Sequence, residues 1–181
     1  HQTSMRLLAE VGIEFPYDDA LDHFQKHGVK TEGSRVYLSE AQLMKALETV
    51  PKQFTIHARS PERSVTVGDG RPVFAPAYGA PFLVDAAPAS DGVVGKRAPT
   101  MEDYRNLVKI AQALPNQDMS GHLIVEPSGV SAGTAHIRML HAHFVHSDKP
   151  FIGSAAGERG ARQTMEMARI LFGSDLGDKA V

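Results

Sequence analysis

The sequence predicts an α/β chain in which parallel βα units follow a helical and β-hairpin cap. From residue 71 onward an extended apolar stretch precedes an amphipathic helical one, and the pair occurs three times: 73–78 with 101–114, 120–126 with 135–146, and 150–154 with 161–172. Strands alternating with helices of this length indicate parallel βαβ crossovers. A closed barrel of eight such units takes roughly 250 residues, whereas this chain has 181, of which 1–70 come before the first unit. The expectation is a partial (β/α)8 TIM barrel: a cap over 1–70, then the first three βα units over 71–181. Such a piece is the front part of a larger enzyme, and most catalytic residues are expected beyond Val181.

The cap is read element by element. Residues 3–10 are amphipathic through Met5, Leu8 and Val11, with Gly12 as the stop. A second helix follows Pro16, with Asp18 or Asp19 as its cap, Leu21 and Phe24 facing inward and Gly28 at its end. Glu32-Gly33 turns into a short strand, 35–38. Ser39 to Gln42 has the spacing of a capping box and opens a third helix with Leu43, Leu47 and Val50 on one stripe, closed by Pro51. The alternating segments 54–58 and 64–67 precede Gly68-Asp69-Gly70, and Asp-Gly suits a tight hairpin.

In the βα region, 82–85 and the small-residue run 86–91 read as a β-excursion with a mobile tip. Thr100 to Asp103 is a second capping signature. It starts a helix with Leu107, Ile110, Ala111 and Leu114 on one face, ended by Pro115. Met165, Met167 and Ile170 read as core.

Composition excludes several classes. Nineteen basic and twenty-one acidic residues give a formal charge of −2 with no basic block, so no nucleic-acid footprint is visible. The absence of cysteine removes disulfides, thiolate nucleophiles and Cys-bound metal from this stretch. Apolar runs fall short of the ~18 residues a membrane helix needs, and no basic n-region leads into an apolar h-region. A cytoplasmic protein is expected.

Several segments taken in order resemble the trimethylamine–corrinoid methyltransferase family: RLLAEVGIEFP at 6–16, PKQFTIHAR at 51–59, PAYGAP at 76–81, RAPT at 97–100 running on to LPN at 114–116, and KPFIGS at 149–154. The resemblance implies a (β/α)8 barrel that moves a methyl group from a tertiary or quaternary methylamine, trimethylamine or a betaine, to cobalt(I). The corrinoid is carried by a separate protein, so no cofactor is expected on this chain itself. One branch of the family uses pyrrolysine, at a position this resemblance puts past Val181; a larger branch lacks it and acts on betaine-like amines. The amine leaves neutral, so the pocket holds a cation that loses its charge. Too firm an ion pair would favour the ground state, whereas aromatic faces attract cations by only about 0.5–2 kcal/mol.

Active faces of such barrels lie where strands end and helices begin, which selects Tyr78, Gly79, Glu126 and Ser154. Tyr78 reads either as an aromatic wall for an ammonium or as a partly buried, hydrogen-bonded tyrosine. Glu126, before Pro127, reads as an anchor for the substrate or as a carboxylate capping a helix or pairing with an Arg. His122 alternates with Ile124 and could face the barrel, although a hydrogen-bonded core histidine is the simpler reading. The loop 153–160 lacks the Lys and Gly spacing of a nucleotide loop, so its small residues read as permitting close approach by substrate or corrinoid.

Among the nine histidines, His136, His141, His143 and His146 cluster on one helix. Ile137, Leu140, His141 and Phe144 share its predicted apolar side, with His136, His143 and His146 opposite and solvated. His136 and His143 are two turns, ~10.5 Å, apart, too far to share one ion; His143 and His146 could share one, but no nearby carboxylate completes the set, so no metal site is expected. Two other classes remain open: a non-catalytic binding or assembly module, and a metal-dependent barrel hydrolase using His122, Glu126 and later histidines. Uncovered strand faces and an open sheet edge predict self-association, as a homo-oligomer or against a partner. The 181 residues alone are expected to be inactive.

Overall fold

Helix α1 (Gln2–Arg6) runs directly into a π-helical stretch, Leu7–Val11, and stops where the Gly12 N–H donates back to the Leu7 carbonyl at 2.9 Å. Gly12 has φ 72°, and a Cβ there would sit 2.7 Å from the Val36 carbonyl oxygen, so the stop also permits close approach of a strand. The computed structural model describes residues 1–84, 95–121, 123–153 and 157–177. It divides into two units, His1–Lys52 and Gln53–Val181.

In the first unit β1 (Ile13–Glu14), β2 (Lys30–Glu32) and β3 (Arg35–Tyr37) form an antiparallel sheet of order β1-β3-β2. Val36, opposite both Ile13 and Thr31, is fully buried at its centre. Helix α2 (Asp18–Lys26) packs Phe24 on Phe15, ring centroids 4.9 Å apart. Its N-cap is Tyr17; the expected caps Asp18 and Asp19 lie in the first turn, where their charge favours the helix N-terminus instead. Helix α3 (Glu40–Leu47) has the predicted capping box, with the Ser39 N–H donating to Gln42 Oε1 at 3.1 Å and the Gln42 N–H to Ser39 Oγ at 3.3 Å.

The second unit begins with β4 (Phe54–Ile56) and β5 (Val65–Val67), paired antiparallel. They are joined through a 3₁₀ turn, Pro61–Arg63, and not through Asp69-Gly70. Asp69 instead closes a local turn, its Oδ1 accepting the Arg71 N–H at 2.9 Å. Asp148 ties this hairpin to the rest of the unit. It takes the Ser60 hydroxyl at 3.0 Å, the Arg63 Nε at 3.0 Å and the Gln112 amide at 2.7 Å. Burial pushes the Asp148 carboxyl up, but these donors and the Arg63 charge outweigh it and hold the group below its ordinary value. The hairpin therefore belongs with the βα region, whereas the sequence grouped it with the helices before it.

Helices α4 (Met101–Ala113), α5 (Ala132–His146) and α6 (Gly157–Phe172) stand where the sequence places them. The extended segments between them are less regular than predicted, meeting in two isolated parallel bridges, Ala80 with Val125 and Gly121 with Phe151. Their hydrogen bonds run in the expected order. Asp118 and Met119 donate to the Phe74 carbonyl, Gly79 to Leu123 at 2.7 Å, Ser120 to Pro150 at 2.8 Å and Ile152 to Gly121 at 3.1 Å. Pro76, Pro81, Pro127 and Pro150 supply no N–H, which breaks the ladder into bridges. The excursion is anchored by β6 (Leu83–Val84) against β7 (Lys96–Arg97), and its expected tip lies outside the described residues.

Tyr104 and Val108 of α4, Met139 and Ala142 of α5, and Ile124 and Val125 of the middle segment form the core. Burying each large side chain contributes about 1.5–3 kcal/mol. Helix α6 buries Gly160, Thr164 and Ala168, four residues apart, and so approaches through small side chains. Of the stripe expected to be core, Met165 is 45% and Ile170 85% exposed, and Met167 is partly buried.

Candidate functional site

Tyr78, Gly79 and Glu126 come together at the carboxyl ends of two neighbouring parallel segments. The Gly79 N–H reaches the Leu123 carbonyl, and the Glu126 N–H returns to the Ala80 carbonyl at 3.1 Å. Beyond Glu126, the Ser128 N–H and hydroxyl both donate to the Pro99 carbonyl, at 2.7 and 2.8 Å, just ahead of α4. The Glu126 backbone is thus held on both sides while its carboxylate is exposed. The Tyr78 ring is 48% exposed, and partial burial raises its hydroxyl above the ordinary tyrosine value. Gly79, at φ 73°, has open space where a Cβ would stand. Nearby in sequence, Phe82 is half-exposed with the Lys96 ammonium 4.7 Å from its ring centroid. His122 and Ser154, the remaining sequence candidates, lie outside the described residues.

The start of α4 stiffens this end. Thr100 Oγ1 accepts the Asp103 N–H, Asp103 Oδ2 accepts the Thr100 N–H at 2.7 Å, and Arg97 grips both carboxylate oxygens at 2.7 and 2.8 Å. The Arg97 guanidinium, and then Thr100, hold the Asp103 carboxyl well below the usual range. At the opposite, amino-terminal ends of the segments Arg71 pairs with Asp118 at 2.6 Å, and the buried Lys149 donates to the Ala111 and Leu114 carbonyls, both at 2.7 Å. Burial, then Arg63, lowers Lys149.

The histidine cluster departs from the sequence reading. His143 is only 2% exposed, bonded to Tyr104 Oη at 2.8 Å and Ser120 Oγ at 2.9 Å, whereas His141 faces solvent. The buried face of α5 runs through Met139, Leu140, Ala142 and His143. Its signal was present: 139, 142 and 143 have i, i+3, i+4 spacing, obscured by scoring histidine as polar. Among the described residues no three His, Cys, Asp or Glu side chains are grouped to hold a metal ion. Among them, too, no helix is long and apolar enough to cross a membrane.

The family described as trimethylamine methyltransferase (MTTB) matches the chain over residues 1–181. The chain is 42% identical over 173 residues to glycine betaine methyltransferase of Desulfitobacterium hafniense (strain Y51), covering 96% of this chain and 35% of that protein. It is 29% identical over 185 residues to L-carnitine:corrinoid methyltransferase of Eubacterium limosum, covering 97% and 37%. Proline betaine:corrinoid methyltransferase of Eubacterium limosum is 46% identical over 65 residues, 36% of this chain. The chain therefore spans 35% and 37% of the length of the first two curated relatives.

Proposed function

Because the chain belongs to the trimethylamine methyltransferase family, we propose that it works, within a polypeptide of its relatives' length, in moving a methyl group from a betaine-like quaternary amine to a corrinoid. The observation that carries this reading is the match along all 181 residues, together with relatives named for betaine and carnitine. The corrinoid cobalt, on a separate protein, is the methyl acceptor. What this chain supplies is binding and placement. A quaternary nitrogen has no N–H to donate, so recognition falls to aromatic faces and carboxylates. The exposed Tyr78 ring and the exposed Glu126, at the ends of two segments bonded to each other, are suited to that. The open space above Gly79 suits close approach of a bulky acceptor.

The extended segments, in our reading, are the first three strands of a (β/α)8 barrel, an arrangement favoured by two parallel bridges in chain order. The exposed Phe74, Phe82 and Val84 favour a protein that self-associates or meets a partner. A reduced cobalt acceptor calls for a reducing compartment, in keeping with a cytoplasmic setting.

The test uses the polypeptide extended to its relatives' length, a reduced corrinoid protein, and glycine betaine, carnitine, proline betaine and trimethylamine as donors. A betaine-type donor is expected to support methyl transfer. Tyr78→Ala should weaken its use by about 0.5–2 kcal/mol, and Glu126→Gln should lower turnover with the fold intact. Parental rates in both variants on every working donor would remove Tyr78 and Glu126 from the site.

A further inference from the structure

Three buried polar side chains link α4, α5 and the middle segment behind the site. Tyr104 and Ser120 are fully buried and His143 nearly so. Tyr104 Oη lies 2.8 Å from His143 Nε2, His143 Nδ1 lies 2.9 Å from Ser120 Oγ, and Ser120 Oγ lies 3.1 Å from the Pro150 carbonyl oxygen. With the Ser120 hydroxyl donating to the Pro150 carbonyl, a neutral imidazole protonated at Nδ1 is one arrangement that satisfies these three bonds together.

Packing alone does not ask for this network, since apolar residues of equal volume fill a core at least as stably. What it does is hold one segment from both ends. Ser120, where the segment begins, is tied through His143 and Tyr104 to α4 and directly to Pro150 on the third segment. Ser128, just after the segment's end, is tied to Pro99 at the start of the same helix. A slip of one residue in an extended chain turns every side chain to the opposite face, so a segment pinned at both ends fixes where Glu126 points.

We propose that Tyr104, His143 and Ser120 are positioning residues, setting the register of the segment that carries Glu126 and, through it, the Gly79–Ala80 backbone beside Tyr78. As a statement about catalysis this rests on the methyl-transfer reading of the site; as a statement about register it does not. The test therefore has two readouts on the relative-length protein. In hydrogen exchange, Tyr104→Phe and His143→Leu should each speed the amides of Gly79, Ser120 and Glu126 by at least tenfold, leaving α3 and β2–β3 unchanged, and His143→Gln, which keeps a donor and an acceptor, should restore much of the protection. In methyl transfer, the Phe and Leu variants should lose kcat at least tenfold with KM for the donor changed far less, and the Gln variant should recover part of it. Parental exchange at those three amides in Tyr104→Phe and His143→Leu overturns the proposal. If His143→Gln exchanges as fast as His143→Leu, hydrogen bonding is not what holds the segment, and the proposal falls. A parent that transfers methyl from no donor defeats the functional reading instead, with the exchange result still deciding the register.

Discussion

A methyl group at position 153 would run into Thr164 Cγ2, where α6 crosses the end of the third segment. Gly153→Ala is accordingly expected to cost about 1–3 kcal/mol, the range for overpacking. Thr164→Ser removes that carbon, so Gly153→Ala/Thr164→Ser should recover most of the loss. Urea unfolding of the four proteins as a double-mutant cycle checks this, and equal losses with Thr or Ser at 164 would place the strain elsewhere. Gly153 shows how sequence reading succeeds and fails at the level of one side chain. Small residues after a strand were legible as a place of close approach, but the neighbour proved to be α6 itself. Tyr78 and Glu126, selected by a rule about strand ends, lie at the ends of two segments bonded to each other through Gly79, Ala80 and Glu126. For His143 the local spacing pointed inward, but the partners that satisfy its ring nitrogens, Tyr104 and Ser120, are 39 and 23 residues away, so its polarity outweighed the spacing.

Helix α4 is fastened at both ends by charge, and its stability should follow pH accordingly. Asp103 titrates lower in the folded chain than in the unfolded one. Its contribution is thus complete above the ordinary aspartate value of about 4 and fades as pH falls through the depressed one. Asp103→Asn keeps an acceptor for the Thr100 N–H but loses the Arg97 charge. The stability gap between parent and variant, followed by urea midpoints, should be constant near neutral pH and narrow steadily below about pH 4. A gap independent of pH would show that Arg97 contributes no charge pairing. At the other end, Lys149→Met removes the ammonium that donates to the Ala111 and Leu114 carbonyls and should cost about 1–3 kcal/mol in the same assay. An unchanged midpoint would mean that the ammonium's desolvation cancels its bonds. The helix was legible because its signals are local: Thr100 and Asp103 three apart, Pro115 after the last turn. The extended segments were not, because prolines interrupt a pairing that their apolar character alone predicts.

For the chain as a whole, the exposed Phe74, Tyr78, Phe82 and Val84 predict association of the 181-residue polypeptide at high concentration. Sedimentation velocity over a range of concentrations checks this, and a stable monomer throughout would refute it. The border between the two units, 52/53, was not readable from periodicity, since Asp148 recruits Ser60 and Arg63 from 88 and 85 positions upstream. That carboxylate has a consequence for recombining this chain with its relatives. Residues 60, 63, 112 and 148 form an inherited set, and a chimera joined at 70/71 takes half of it from each parent. One joined at 52/53 transfers the set entire. Chimeras with the betaine relative at the two junctions should differ accordingly, the earlier crossover giving the better folded protein.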